Sequence, residues 1–210
     1  MSAKQRKRIP ELVFNLPNQL TSLRLLLAVI MFCMIPWEHS ITYAIALVLF
    51  LVAAGTDWLD GYFARKYSQV TTLGRILDPF ADKVIICGTF IFLAADQKML
   101  ATPHGLRAWM VVVVVGRELL VTALRSFLEQ RGADFSAKMA GKLKMVLQCI
   151  AASLGLFYLC FTGEDPGFPA WVWWPMVVSI WAALVLTVYS GIGYLFAAVK
   201  LLRQQANVLP

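Results

Sequence analysis

The run Asp57-Trp58-Leu59-Asp60-Gly61-Tyr62-Phe63-Ala64-Arg65, continued to Gly74-Arg75-Ile76-Leu77-Asp78-Pro79-Phe80-Ala81-Asp82, lies between two long apolar stretches. It gathers four acids, two glycines and arginines in a chain that holds only 12 Asp and Glu. A carboxylate beside hydrocarbon is costly, so acids at a membrane edge are functional candidates first. If the apolar run from Ile41 continues as helix through Arg65, the turn of about 100° per residue fixes the faces. Relative to Asp57, Asp60 falls at roughly −60°, Gly61 at +40°, Ala64 at −20° and Arg65 at +80°. Two acids and two small residues thus share a face, with the guanidinium at its margin. Asp78 and Asp82 are four apart and stack on the next helix. Two carboxylate pairs on neighbouring helices, beside one short connection, form an all-oxygen donor set. Such a set suits Mg²⁺, Mn²⁺ or Ca²⁺ rather than zinc. Gly61 and Ala64 leave room for a ligand against the helix backbone, and Arg65 offers a fork for phosphate oxygens.

The pattern D-x-x-D-G-x-x-A-R-x8-G-x3-D-x3-D is met at every defined position from Asp57 to Asp82. On these residues the chain resembles the CDP-alcohol phosphatidyltransferase family. The resemblance implies that Asp57, Asp60, Asp78 and Asp82 bind two divalent ions (Mg²⁺ or Mn²⁺) and that Asp82 is the general base. It also implies a CDP site at Gly61, Ala64, Arg65 and Gly74, joined by Asn18 and Thr21, and a homodimer. The plainer alternative is a salt-bridge cluster capping two helices, with Arg65, Lys66, Arg75 and Lys83 as its cations. That alternative gives no reason for the fixed glycines.

Working outward, a chain of 210 residues that is 60% hydrophobic and 15% charged is not an ordinary soluble domain. Runs long enough to span a bilayer recur along its length. They predict an all-α integral membrane protein with six transmembrane helices near 19–35, 41–65, 75–95, 106–128, 140–161 and 171–200. Pro36, Pro103, Pro166 and Pro169 punctuate the joins. The expected organisation is a basic tail and short interfacial helix over 1–15, a six-helix domain over 16–203 and a tail over 204–210. The interfacial piece falls at Pro10 to Phe14. Pro79 either opens the third helix with Asp78 as cap or bends a helix that began near Gly74. Cys33, Cys87, Cys149 and Cys160 stand singly in apolar runs, with no CxxC, and read as buried free thiols. His39 and His104 are solitary and expected in loops.

Asn18, Thr21 and Arg24 follow at three-residue steps and form a polar stripe at the start of the first span. Many members of the family begin with a similar P-N-x-x-T-x-x-R. Ordinary capping with a snorkelling arginine would give the same stripe.

Orientation follows from the basic residues. Lys4, Arg6, Lys7 and Arg8 precede the first span, which lacks a small-residue cleavage site and reads as retained. Arg65, Lys66, Arg75 and Lys83 border the second connection; Arg125, Arg131, Lys138, Lys142 and Lys144 border the fourth; Lys200 and Arg203 close the chain. Only Lys98 and Arg107 fall on the other side, where Trp171, Trp173 and Trp174 form an aromatic belt. Both termini and the acids are therefore expected at the cytoplasmic face. The absence of a transit peptide favours a bacterial inner membrane.

At about 1.5 Å per residue, Arg117 lies roughly 15 Å along its helix from Arg107, too deep for a loop charge. A buried arginine faces a partner or a polar cavity. Arg117 and Arg125 are about 80° apart and could border one cavity, with Lys142 and Lys144 entering from the next helix. This cluster beside an acid centre predicts that the second substrate carries a phosphate, held by Arg117, Arg125, Lys142 and Lys144. The segments R-E-x-x-V-x-x-L-R at 117–125 and G-K-x-K at 141–144 resemble one subgroup of the family. Its members transfer a phosphatidyl group from CDP-diacylglycerol to glycerol 3-phosphate and release CMP. Gly116 and Met145 depart from the subgroup's usual alanine and threonine. Inositol phosphate, serine and phosphatidylglycerol are the rival acceptors. A cation transporter would place its acids near the midplane and show an internal repeat, and a structural subunit would not need the fixed spacing. Membrane lipids are expected partners; nucleic acid is not.

Overall fold

The computed structural model describes residues 16–67, 72–129, 139–162 and 170–206, and their regular structure is entirely helical. The interfacial piece expected at Pro10 to Phe14 lies outside them. The apolar runs become α1 (Leu16–Met34), α2 (Ser40–Tyr67), α3 (Thr72–Ala95), α5 (Ala108–Glu129), α6 (Met139–Phe161) and α7 (Ala170–Ala206). A short helix that the sequence did not announce, α4 (Gln97–Ala101), fills the turn after α3. Among the described residues, three segments are long and apolar enough to cross a bilayer: Gln19–Trp37, Leu143–Phe161 and Trp171–Phe196. Ser40–Thr56 is apolar but shorter. The polar residues inside α3 and α5 interrupt their apolar character.

Pro79 lies inside α3, which starts seven residues earlier at Thr72, so it does not open the helix. Having no N–H, it leaves the carbonyl four residues back without an intrahelical donor. The carbonyl of Pro79 itself receives Lys83 Nζ at 3.2 Å.

The helix order in space follows from where the apolar faces meet. α3 packs against α1, α5 and α6; α2 packs against α1 and α6; α7 runs along α6 and α5. Met31, Phe50, Phe90, Leu93, Met110 and Leu156 fill the shared interior. Gly88 brings α1 close to α3, because a Cβ there would sit 2.1 Å from the Phe32 ring. That ring stacks on Phe92 with centroids 5.1 Å apart. Outside, Val29, Val48, Val112, Leu119, Val185 and Phe196 are exposed. An apolar surface of this extent is unlike that of a soluble monomer and suits lipid contact. The four cysteines are free, but Cys33 is exposed among these outward residues. Cys87, Cys149 and Cys160 are only half-buried, so the expectation of buried thiols holds in part for them and fails for Cys33 on α1, whose outer face the sequence did not separate from its inner one.

One end of the bundle is closed by a buried polar knot. Asp96 caps α4, accepting from Met99 N–H at 3.1 Å, and takes the Tyr43 hydroxyl on its other oxygen. Lys98 Nζ donates to the Glu38 carbonyl at 2.9 Å and lies over the Tyr43 ring. Arg107 donates to the carbonyls of Leu100 and Thr102. The indole of Trp173 donates to the Pro103 carbonyl at 3.2 Å, which ties the aromatic belt to this end. His39 and His104 lie in the connections here, as expected. Asp96→Ala removes a cap and strands a buried phenol, so it should lower stability by about 1–3 kcal/mol. Thermal unfolding in detergent would measure this, with Asp96→Asn expected to lose less.

Candidate active site

The polar stripe of α1 meets the acids of α3. Thr21 Oγ1 donates to Asp78 Oδ1 at 2.5 Å, and Arg24 Nη1 donates to Asp82 Oδ1 at 2.9 Å. The three-residue step from Thr21 to Arg24 and the four-residue step from Asp78 to Asp82 are each about one helical turn. Two parallel stripes therefore match rung to rung. Arg24 is 1% exposed, whereas the Asp82 side chain remains 26% exposed. The arginine is thus embedded and the carboxylate is presented. The stripe places Thr21 and Arg24 on one face, and the burial of Arg24 against Asp82 adds it to the candidate site.

The other residues expected on this side are positioned by backbone. Asp57, Asp60, Gly61, Ala64 and Arg65 lie in the last turns of α2, Gly74 in the first turn of α3 and Asn18 in the first turn of α1. Their side chains lie outside the described residues, as does that of Lys142. Among the described residues no group of three or more His, Cys, Asp or Glu comes together. Asp78 and Asp82 offer oxygen only, and both histidines belong to other connections. The donors present therefore fit a hard divalent cation and not zinc.

Beside Asp82 is a cavity of about 150 Å³ lined by Pro79, Asp82, Lys83, Ile86, Cys87, Glu118, Lys144, Met145 and Gln148. It joins α3 to α5 and α6. Lys144, expected to hold phosphate, is 5% exposed and donates to Glu118 Oε1. Gln148 Nε2 donates to Thr187 Oγ1 at 3.2 Å, bracing α6 on α7. Met145, the departure from a threonine, contributes a thioether wall.

Arg117 and Arg125 are not among the described residues that line this cavity. Arg117 turns to α7, where Nη2 donates to Ser190 Oγ at 2.8 Å and the guanidinium lies 5.6 Å from the Tyr194 ring centre. Its Nη1 reaches Glu118 Oε1 at 3.3 Å. Gly191 lets the side chain cross, since a Cβ there would meet Arg117 Cγ at 3.0 Å. Arg125 is exposed on α5. Depth along α5 marks Arg117 as needing partners, and it has one on α7, Ser190, and one on its own helix, Glu118. Glu118, which the sequence gave only as the neighbour of Arg117, is the residue that links Arg117 to Lys144.

The sequence profile of the CDP-alcohol phosphatidyltransferase family matches residues 14–190, and the chain belongs to that family. The chain is 38% identical over 195 residues to the CDP-diacylglycerol–glycerol-3-phosphate 3-phosphatidyltransferase of Bacillus subtilis, covering 87% of this chain and 94% of that one. The proteins of the same name from Escherichia coli and Rickettsia typhi are 32% and 31% identical. They cover 88% and 89% of this chain, and 95% and 97% of their own lengths.

Breaking a buried ion pair from one side leaves an uncompensated charge. Because the Asp82 carboxylate left behind is partly exposed, Arg24→Ala should cost about 1–3 kcal/mol of stability. A double-mutant cycle with Asp82→Asn, read by unfolding in detergent, should give a coupling of at least about 1 kcal/mol.

Proposed function

We propose that this protein transfers the phosphatidyl group of CDP-diacylglycerol to sn-glycerol 3-phosphate, giving phosphatidylglycerophosphate and CMP. The observation that carries the reading is the cavity in which Asp82 and Lys144 face one space. A carboxylate suited to take a proton and a cation suited to hold a phosphate sit beside the acids of the family motif. The names of the relatives support the same donor and acceptor.

In this reading Asp57, Asp60, Asp78 and Asp82 hold two divalent ions, Mg²⁺ or Mn²⁺. Ions bound there would supply charge neutralisation for the pyrophosphate and the departing CMP. Gly61, Ala64, Arg65 and Gly74, with Asn18 and Thr21, receive the nucleotide. Asp82 accepts the proton of the acceptor's C1 hydroxyl, whose oxygen forms a bond to the lipid-side phosphorus. The bond from that phosphorus to the bridging oxygen breaks, and CMP leaves with that oxygen. Arg24 fixes the carboxylate through the approach of the hydroxyl, where orientation counts most. Lys144 holds the acceptor phosphate from the α6 side, with Lys142 beside it. Arg117 supports Lys144 through Glu118, and Arg125 adds positive charge on α5 for an incoming anion.

The membrane arrangement belongs to the same proposal. α1, α2, α3, α5, α6 and α7 form six spans, with both termini and the acids at the cytoplasmic face of a bacterial inner membrane and two copies forming a homodimer. The basic residues at the α2–α3 and α5–α6 connections support this orientation.

The reading is tested by purified protein given CDP-diacylglycerol and Mg²⁺ with one acceptor at a time. CMP release is expected with glycerol 3-phosphate and not with serine, inositol phosphate or phosphatidylglycerol; a preference for any of these three rejects it. Asp82→Asn keeps an oxygen that can accept from Arg24 but removes the counter-charge, so it should be less stable by thermal unfolding; in the folded fraction CMP release should fall by roughly 10²–10⁴-fold. Retained turnover removes Asp82 from the role of base.

A further inference from the structure

Glu118 is an acid in a place where an anion-binding site should not want one. It lies on α5, is 9% exposed, and faces the same cavity as Lys144 and Asp82. Its Oε1 is fully occupied, taking both the Lys144 ammonium and Arg117 Nη1. Its Oε2 takes no hydrogen bond from any described residue. A carboxylate oxygen without a donor among the described residues, at the wall of a small cavity, is a strong acceptor for an O–H group.

Resting on the function proposed above, we infer that Glu118 reads the secondary hydroxyl of the acceptor and so sets which phosphorylated alcohol this site accepts. Three groups of different chemistry then surround one space. Asp82 takes the proton of the reacting hydroxyl. Lys144, tethered by one N–H to Glu118, has two further donors for phosphate. Glu118 Oε2 accepts from the remaining hydroxyl. The negative charge of Glu118 also repels the phosphate from its own corner, which leaves one way round for the molecule. Three unlike contacts distinguish the two mirror forms of a three-carbon phosphate, whereas two would not. The volume agrees with an occupant of this class: about 150 Å³ is below the roughly 300–1,000 Å³ typical of sites for larger ligands.

The test compares three acceptors by CMP release: sn-glycerol 3-phosphate, its enantiomer sn-glycerol 1-phosphate, and 3-hydroxypropyl phosphate, which lacks the secondary hydroxyl. The wild type should prefer the first over the third by roughly 10–100-fold in kcat/KM, the span of a charge-assisted hydrogen bond. It should also disfavour the enantiomer. Glu118→Gln should bring the preference for the first over the third down to about threefold, because a neutral bond is weaker. Its turnover of 3-hydroxypropyl phosphate should fall by a smaller factor than its turnover of glycerol 3-phosphate, since only the latter loses the charged contact to the secondary hydroxyl.

If Glu118 serves only as counter-ion to Lys144 and Arg117, the variant loses activity with all three acceptors in the same proportion and the ratio does not move. That result overturns the inference. A wild type that uses 3-hydroxypropyl phosphate as well as glycerol 3-phosphate overturns it too, whether or not the variant folds. Both results leave the functional reading standing. A wild type that releases CMP with none of the three sinks the functional reading, and this inference with it.

Discussion

The structure depends on the pairing of Arg24 with Asp82. Each charge alone would be expensive inside an apolar bundle, and each is acceptable because the other is 2.9 Å away. The pair fixes α1 against α3 in both rotation and height, since a helix displaced by one turn would present Thr21 where Arg24 should be. The contact of Thr21 with Asp78 one turn along makes the register unambiguous. The apolar contacts beneath, including the Phe32 ring on Gly88, then have only one way to fit. Hydrophobic packing alone does not select register between helices in lipid, because lipid tails are as apolar as leucine. Polar rungs do.

The same logic recurs in two other places. Glu118 connects Lys144 of α6 to Arg117 of α5, and Arg117 continues to Ser190 on α7. At the other end, Asp96 joins Tyr43 of α2 to the first turn of α4. The apolar middle supplies cohesion, and polar junctions such as these decide which helix meets which. Two of them, those of Asp82 and Glu118, border the cavity. The residues that order the bundle are therefore also residues that shape the space in which chemistry is proposed.

Much of this was legible in the sequence. The six long helices fall within a few residues of their expected limits, except that α7 runs on to Ala206. Long apolar runs broken by proline are a strong signal, because both length and termination have direct physical causes. The spacing of Asp78 and Asp82 correctly placed them on one face. What periodicity does not contain is the identity of the neighbour. It could say that Arg24 and Arg117 lie on particular faces, but not that one meets Asp82 and the other Ser190. Nor could it choose between two roles for Pro79, since a proline that starts a helix and one inside it look alike along a chain. α4 escaped notice because five residues are too few to show a period. Cys33 was misjudged for a related reason: in a chain that is apolar on all sides, hydropathy does not separate protein-facing from lipid-facing positions.

The meeting of Arg117 with Gly191 links two positions that are 74 residues apart in sequence. A guanidinium stem crosses directly over a backbone that has no side chain, and even one methyl group there would crowd it at 3.0 Å. The two sites are thus constrained to drift together over evolutionary time: while arginine persists on α5, the facing residue on α7 has little freedom to grow. Should the arginine shorten, that restriction lifts. Covariation between these two columns in a set of descendants would record, in heredity, a steric fact about a single crossing point.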